Sequence, residues 1–130
     1  MKTLLPDGWP RPNGYANGIS ATGRTIYTAG VVGWDAQEDF VSNLMAGQFE
    51  QVLRNIVDIL AVDDARPEHI VRLTCYVTSI EQYLASTAEI GVAYKAIIGP
   101  HYPAMALVEV VRLVEPMALV EIEATAVVPE

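Results

Sequence analysis

The segment "PAMALVEVVRLVEPMALVEIEATAVV", residues 103–128, reads as two consecutive β-strands. In the first, side chains alternate so that Met105, Leu107 and Glu109 share one face and Ala106, Val108 and Val110 the other. In the second, "ALVEIEATAVV", the spacing puts Glu121 and Glu123 on one face. Only the short, proline-containing "VEP" separates the runs, which predicts an antiparallel hairpin. A carboxylate beside a Met and a Leu is an odd neighbour. The segment is either a plain structural strand or the wall of a pocket.

Upstream, the period changes. A helix is predicted over residues 80–98, stopped by Gly99-Pro100. "HIVRLTCYVT" (69–78) is a predicted strand with Val71, Leu73, Cys75 and Val77 on one face. Before it, Met45, Phe49, Val52, Leu53, Ile56, Ile59 and Leu60 recur at helical spacing, predicting a helix over 42–62 that Pro67 forbids from continuing. Gly47 within that helix costs about 1 kcal/mol relative to Ala, which points to close packing there. "ISA" and "TIYTAGVVG" are predicted short strands around the turn Thr22-Gly23-Arg24. The Pro- and Gly-rich residues 6–18 read as an ordered loop, with Trp9 and Tyr15 to bury. The order β-β-α-β-α-β-β predicts a single α+β domain over residues 1–130, with two helices on one face of a mixed sheet.

The chain carries 16 acidic against 8 basic residues, a net charge of −8, with no Lys/Arg cluster, which argues against nucleic acid as a partner. Apolar residues make up 52% and charged residues 18%, a globular balance with an apolar share rich enough to point to subunit association. Cys75, the one cysteine, cannot form an intrachain disulfide and reads as a small buried hydrophobe. No signal peptide and no apolar run of membrane-spanning length is apparent, so a cytoplasmic protein without a membrane partner is expected. His69 and His101 are far apart, with no His or Cys spacing that would ligate a metal; neither a metal nor another cofactor is expected.

Five phrases, in order, resemble the RidA family of reactive-intermediate imine/enamine deaminases, also called YjgF/YER057c-like or endoribonuclease L-PSP. They are "GRTIYTAGVVG" (23–33), "VLRNIVDIL" (52–60), "HIVRLTCYVTSIEQY" (69–83), "YPAMALVEVVRL" (102–113) and "ALVEIEATAVV" (118–128), and the likeness covers nearly the whole chain. The resemblance implies a chorismate-mutase-like fold. It also implies a homotrimer with ligand pockets in the clefts between neighbouring subunits, and hydrolysis of a C=N or enamine intermediate with release of ammonia.

By the same resemblance, Glu121 matches the family's water-activating glutamate, although on its own a strand-face glutamate is more often merely solvated. Tyr15, in "NGYANG", matches a tyrosine that bonds the ligand, where the bland alternative is a packing anchor. Gly30 matches a pocket glycine whose backbone meets the ligand. Glu109 and Arg112 keep family identity, and pairing with each other or across a subunit boundary is their expected structural role. The departures are informative. Met105 stands where the family has the arginine that grips the substrate carboxylate, and methionine offers neither charge nor donors. Leu107 replaces a small polar or thiol residue, Gly91 an asparagine, and Val31 a glutamine. His101 is a candidate for the pocket mouth, or else a loop residue bonded to backbone. Trp34 covers the cleft or seals the core edge.

These substitutions point to a bulkier, less anionic substrate than a small free 2-imino acid. The expected function is imine or enamine hydrolysis on such a substrate. The alternative is a non-catalytic trimer binding a small metabolite in the same cleft. A ribonuclease conflicts with the charge and lacks a general acid/base histidine pair.

Overall fold

A computed structural model describes the whole chain, residues 1–130. The helical stripe is the organising element. Helix α1 (Met45–Ala61) buries Met45, Gln48, Phe49, Val52, Leu53, Ile56 and Leu60 along one side, while Ile59 falls off that side and is exposed. Its glycine is a close-approach site: a Cβ on Gly47 would lie 2.3 Å from Ser42 Oγ, where the chain turns into the helix.

Four short strands precede α1. β1 (Lys2–Thr3) and β2 (Ile19–Ser20) pair only with each other, so "ISA" forms a separate ribbon outside the main sheet. The loop before β2 is also less anchored than expected, since Trp9 and Tyr15 are both exposed. The "TIYTAGVVG" run divides into β3 (Arg24–Tyr27) and β4 (Val31–Val32). Arg24 pairs with Asp63 and ties this edge to the end of α1.

After a 3₁₀ turn at Pro67–His69 comes β5 (Ile70–Val77), whose buried residues are Ile70, Leu73, Cys75 and Val77. Val71 does not share their face as predicted. A bulge between Ile70 and Arg72 inserts one residue, shifts the alternation and gives the inward position to Ile70. The predicted second helix is two: α2 (Ile80–Ala85) and α3 (Thr87–Ile97), broken at Ser86, whose hydroxyl donates to the Gln82 carbonyl. The Ser79 hydroxyl accepts from the Gln82 N–H at the start of α2, and the Glu109 carboxylate accepts from the Ile80 N–H at 3.0 Å. Glu109 therefore caps a helix and makes no ion pair with Arg112.

The final strands, β6 (Ala104–Glu109) and β7 (Val120–Val128), do not form the predicted hairpin. The sheet runs β3/β4–β7–β5–β6, with β7 antiparallel to β3, β4 and β5, and β6 parallel to β5. β6 ends at Glu109, the Val110 N–H still donates to the Val77 carbonyl at 2.9 Å, and beyond it Val111 and Val114 stand out in solvent. The resulting connection is long enough to cross the end of β5 and drop β7 on its far side. The mixed α+β architecture of the sequence analysis holds, with all three helices on one face. An apolar core of 18 buried residues lies between α1, α3 and the inward sides of β5 and β7.

Candidate functional site

The two faces of the sheet divide the residues singled out from sequence. On the face away from the helices, Glu121 lies opposite Tyr76 in the register, and Glu123 opposite Thr74. Gly30 comes against Glu121: a Cβ on Gly30 would sit 2.2 Å from Glu121 Oε2. Only glycine leaves the carboxylate where it is. Tyr76 donates to Glu123 Oε1 at 2.8 Å, and this bond, with lesser contributions from burial and neighbouring carboxylates, raises the Tyr76 hydroxyl above its ordinary value.

Two side chains of α1 hold this arrangement from behind. Asn55 donates to the carbonyls of Val32 (3.0 Å) and Trp34 (2.7 Å), fixing the segment that begins at Gly30. Gln48, fully buried, donates to the carbonyls of Ser42 (3.0 Å) and Met117 (2.9 Å) and accepts from the Leu119 N–H (2.7 Å). It thus pins the start of β7 just before Glu121. Every polar atom of this buried amide is satisfied, as a close-packed interior requires. Neither residue was singled out from sequence, since an Asn or Gln on a helix stripe reads as surface until its partners are placed.

On the helix face, Met105 and Leu107 lie opposite Leu73 and Cys75 in the register. They line a cavity of about 470 Å³ between the sheet, α2 and α3, together with Ile90, Gly91, Tyr94 and Tyr102. None of its lining residues is charged. Burial pushes the Cys75 thiol up to about 12, so it is a packing group and not a nucleophile. Gly91 faces open space, with nothing within 4 Å of where its Cβ would stand. Val31 does not join the cavity; it packs into the core opposite Ile122.

A second recess, about 440 Å³, adjoins the first across Tyr102, which lines both. Arg11, Tyr15, Asn17 and His101 border it. The chain between Pro12 and Ala16 runs beside β6, held by the Ala16 N–H donating to the Pro103 carbonyl at 2.9 Å. Tyr94 and Tyr102 stack with centroids 5.4 Å apart at 12°, and the Tyr94 hydroxyl donates to the His101 carbonyl. His101 Nε2 lies 2.6 Å from the Ile70 carbonyl, so this nitrogen carries a hydrogen and donates. Trp34 lines neither recess. It packs on Phe40 at 5.8 Å and closes the Asp35–Asp39 turn.

The model of the endoribonuclease L-PSP family matches residues 10–128. The chain belongs to that family. Over 98% of both chains it is similar to a protein of unknown function of the conserved Rid family, YyfB from Yersinia pestis, at 31% identity and a TM-score of 0.83. It is also similar to the YjgF gene product of E. coli (29% identity, 98% of each chain, TM-score 0.67). Rv2704 from Mycobacterium tuberculosis, of the YjgF/YER057c/UK114 family, matches at 31% identity over 88% of this chain and 87% of its own, with a TM-score of 0.67. No curated protein matches. Membership agrees with the fold and with the order of the five phrases. No helix is long and apolar enough to cross a membrane.

Proposed function

We propose that this member of the family hydrolyses a reactive imine or enamine, with Glu121 as the group that activates water. The observation that carries the reading is the Gly30–Glu121 contact: a carboxylate seated against bare backbone, half-exposed, with α1 bracing both strands beneath it. In the reaction, an enamine first tautomerises to the imine, gaining a proton on carbon and giving one up from nitrogen. A water oxygen then bonds to the C=N carbon as Glu121 takes the water's proton. That proton passes to nitrogen to give the carbinolamine, and as the carbonyl forms the hydroxyl proton also moves to nitrogen, the C–N bond breaks and ammonia leaves. A positioned carboxylate contributes on the order of 10²–10⁴-fold to such a step.

Glu121 and the Met105–Leu107 cavity lie on opposite faces of one sheet, so one chain cannot present both to the same ligand. We take the site to be completed between copies in a homotrimer. An open sheet face bearing Tyr27, Tyr76 and Val108, and an edge strand β6 whose outer side carries no strand beyond the single bridge from Ala16 to Ala104, favour this assembly. Tyr15 contributes its hydroxyl from the loop beside β6, and Gly30 its backbone. Met105 cannot bind a carboxylate next to the imine carbon, and the cavity beside it is apolar. The substrate class is therefore one without an α-carboxylate.

Ammonia release is the test. Wild type and Glu121→Gln are compared on enamines with and without an α-carboxylate, the acids generated by an amino-acid oxidase. Wild type should release ammonia faster from the substrates without an α-carboxylate, and Glu121→Gln should lose about 100-fold with its melting temperature unchanged. Met105→Arg should gain on the 2-imino acids. Equal, substrate-independent inactivity of wild type and Glu121→Gln would leave a metabolite-binding trimer in place of an enzyme.

A further inference from the structure

One arginine lies near the apolar cavity, on the other side of Tyr102. Arg11 borders the adjoining recess with Tyr15, Asn17 and His101 and makes no ion pair. Among the residues lining the two recesses, it is the only arginine or lysine. His101 spends its Nε2 hydrogen on the Ile70 carbonyl, which leaves Arg11 as the side chain suited to an anion.

From this geometry we infer that the ligand is elongated and amphipathic. Its aromatic or alicyclic group occupies the cavity under α3, and an anionic group several bonds away lies on Arg11. The inference rests on the function proposed above and adds the shape and charge of the substrate. Three observations carry it. The cavity is uncharged and walled by the stacked Tyr94–Tyr102 pair, a surface suited to a flat ring. Tyr102 lines both recesses, so a ligand passing its ring edge reaches from one to the other. Gly91 withholds a side chain where one would fill the cavity, with nothing within 4 Å to forbid it. Gly91 is therefore the position that sets how large a ring is admitted.

Binding tests this without relying on turnover. The probes are 4-(1-naphthyl)butyrate and its uncharged analogue 4-(1-naphthyl)butan-1-ol, titrated into the full chain by naphthyl fluorescence. Wild type should bind the acid about tenfold more tightly than the alcohol, the effect of one charge-assisted contact. Arg11→Ala should abolish that preference and leave the alcohol's affinity unchanged. Gly91→Trp should weaken both probes by about tenfold or more while the melting temperature holds. Equal affinity of wild type for acid and alcohol would overturn the role of Arg11, and unchanged binding in Gly91→Trp would overturn the cavity. Because Glu121→Gln should bind both probes like wild type, a failure of catalysis and a failure of this inference read differently.

Discussion

The two faces of the sheet are built from the same strands by opposite rules. Toward the helices, Ile70, Leu73, Val77, Val120 and Ile122 are almost wholly removed from water, and the one polar side chain among them, Gln48, has all its hydrogen bonds. Away from the helices, Tyr76, Glu121 and Glu123 keep contact with solvent and bond to one another or to nothing. The first face carries stability, where each lost contact is felt. The second holds its groups in place by backbone register, so a change there alters chemistry more than folding.

The two glycines make the sharpest break between the faces. Gly30→Ala drives a methyl into the Glu121 carboxylate, the far end of a flexible side chain that can turn aside. Stability should hardly change, while ammonia release falls by about 100-fold, the usual consequence of misplacing a reacting group by an ångström. A variant as active as wild type would detach Glu121 from the reaction. Next in size is Gln48→Ala. It leaves the Leu119 N–H without its partner and should cost about 3 kcal/mol, lowering the melting temperature by about 10 °C.

The buried thiol gives a smaller effect that depends on pH. Cys75 titrates at about 12 in the folded chain against an ordinary value of 9.0. Above the ordinary value the unfolded chain sheds a proton that the folded chain keeps, so stability falls as pH rises, by about 1.4 kcal/mol per pH unit. Denaturant unfolding of Cys75→Ser between those values should show a flatter alkaline decline. It should not vanish, because burial also raises Tyr83 and Tyr94 and tilts the curve the same way.

Gly91→Ala should be stabilising, by about 0.5–1 kcal/mol, since it adds helix propensity inside α3 without meeting another atom. Smallest of all is the open-face pair. Tyr76→Phe should leave the melting temperature within error. Glu123→Ala should bring the Tyr76 hydroxyl back toward its ordinary titration, read by its absorbance change on ionisation.

The elements were legible where a single period governs them. The α1 stripe, the strand around Cys75 and the alternation of the last two strands follow from side chains that must all face one way. Pairing was not legible. The short apparent link at "VEP" promised a hairpin, but the chain leaves the sheet after Glu109, whose carboxylate caps α2, and β6 and β7 end on opposite sides of β5. The same limit applies to the site. Glu121 and Gly30 are ninety-one residues apart in the chain, and their contact needs the antiparallel register of β4 on β7. Nothing local in the sequence distinguishes Arg11 from any other loop arginine.

What the sequence determined by itself is the class of the fold, its family, and the residue types at each position: methionine at 105, glycine at 91, a carboxylate at 121. These are statements about residue type at a position, and type is what a sequence records. What only the tertiary structure decided is the partition of those positions between two faces, the clamp of Gln48 and Asn55 behind Glu121, and the neighbourhood of Arg11. Each depends on a register or a crossing set by the packing of the whole, where one residue's shift turns a strand over and sends its side chains to the other side.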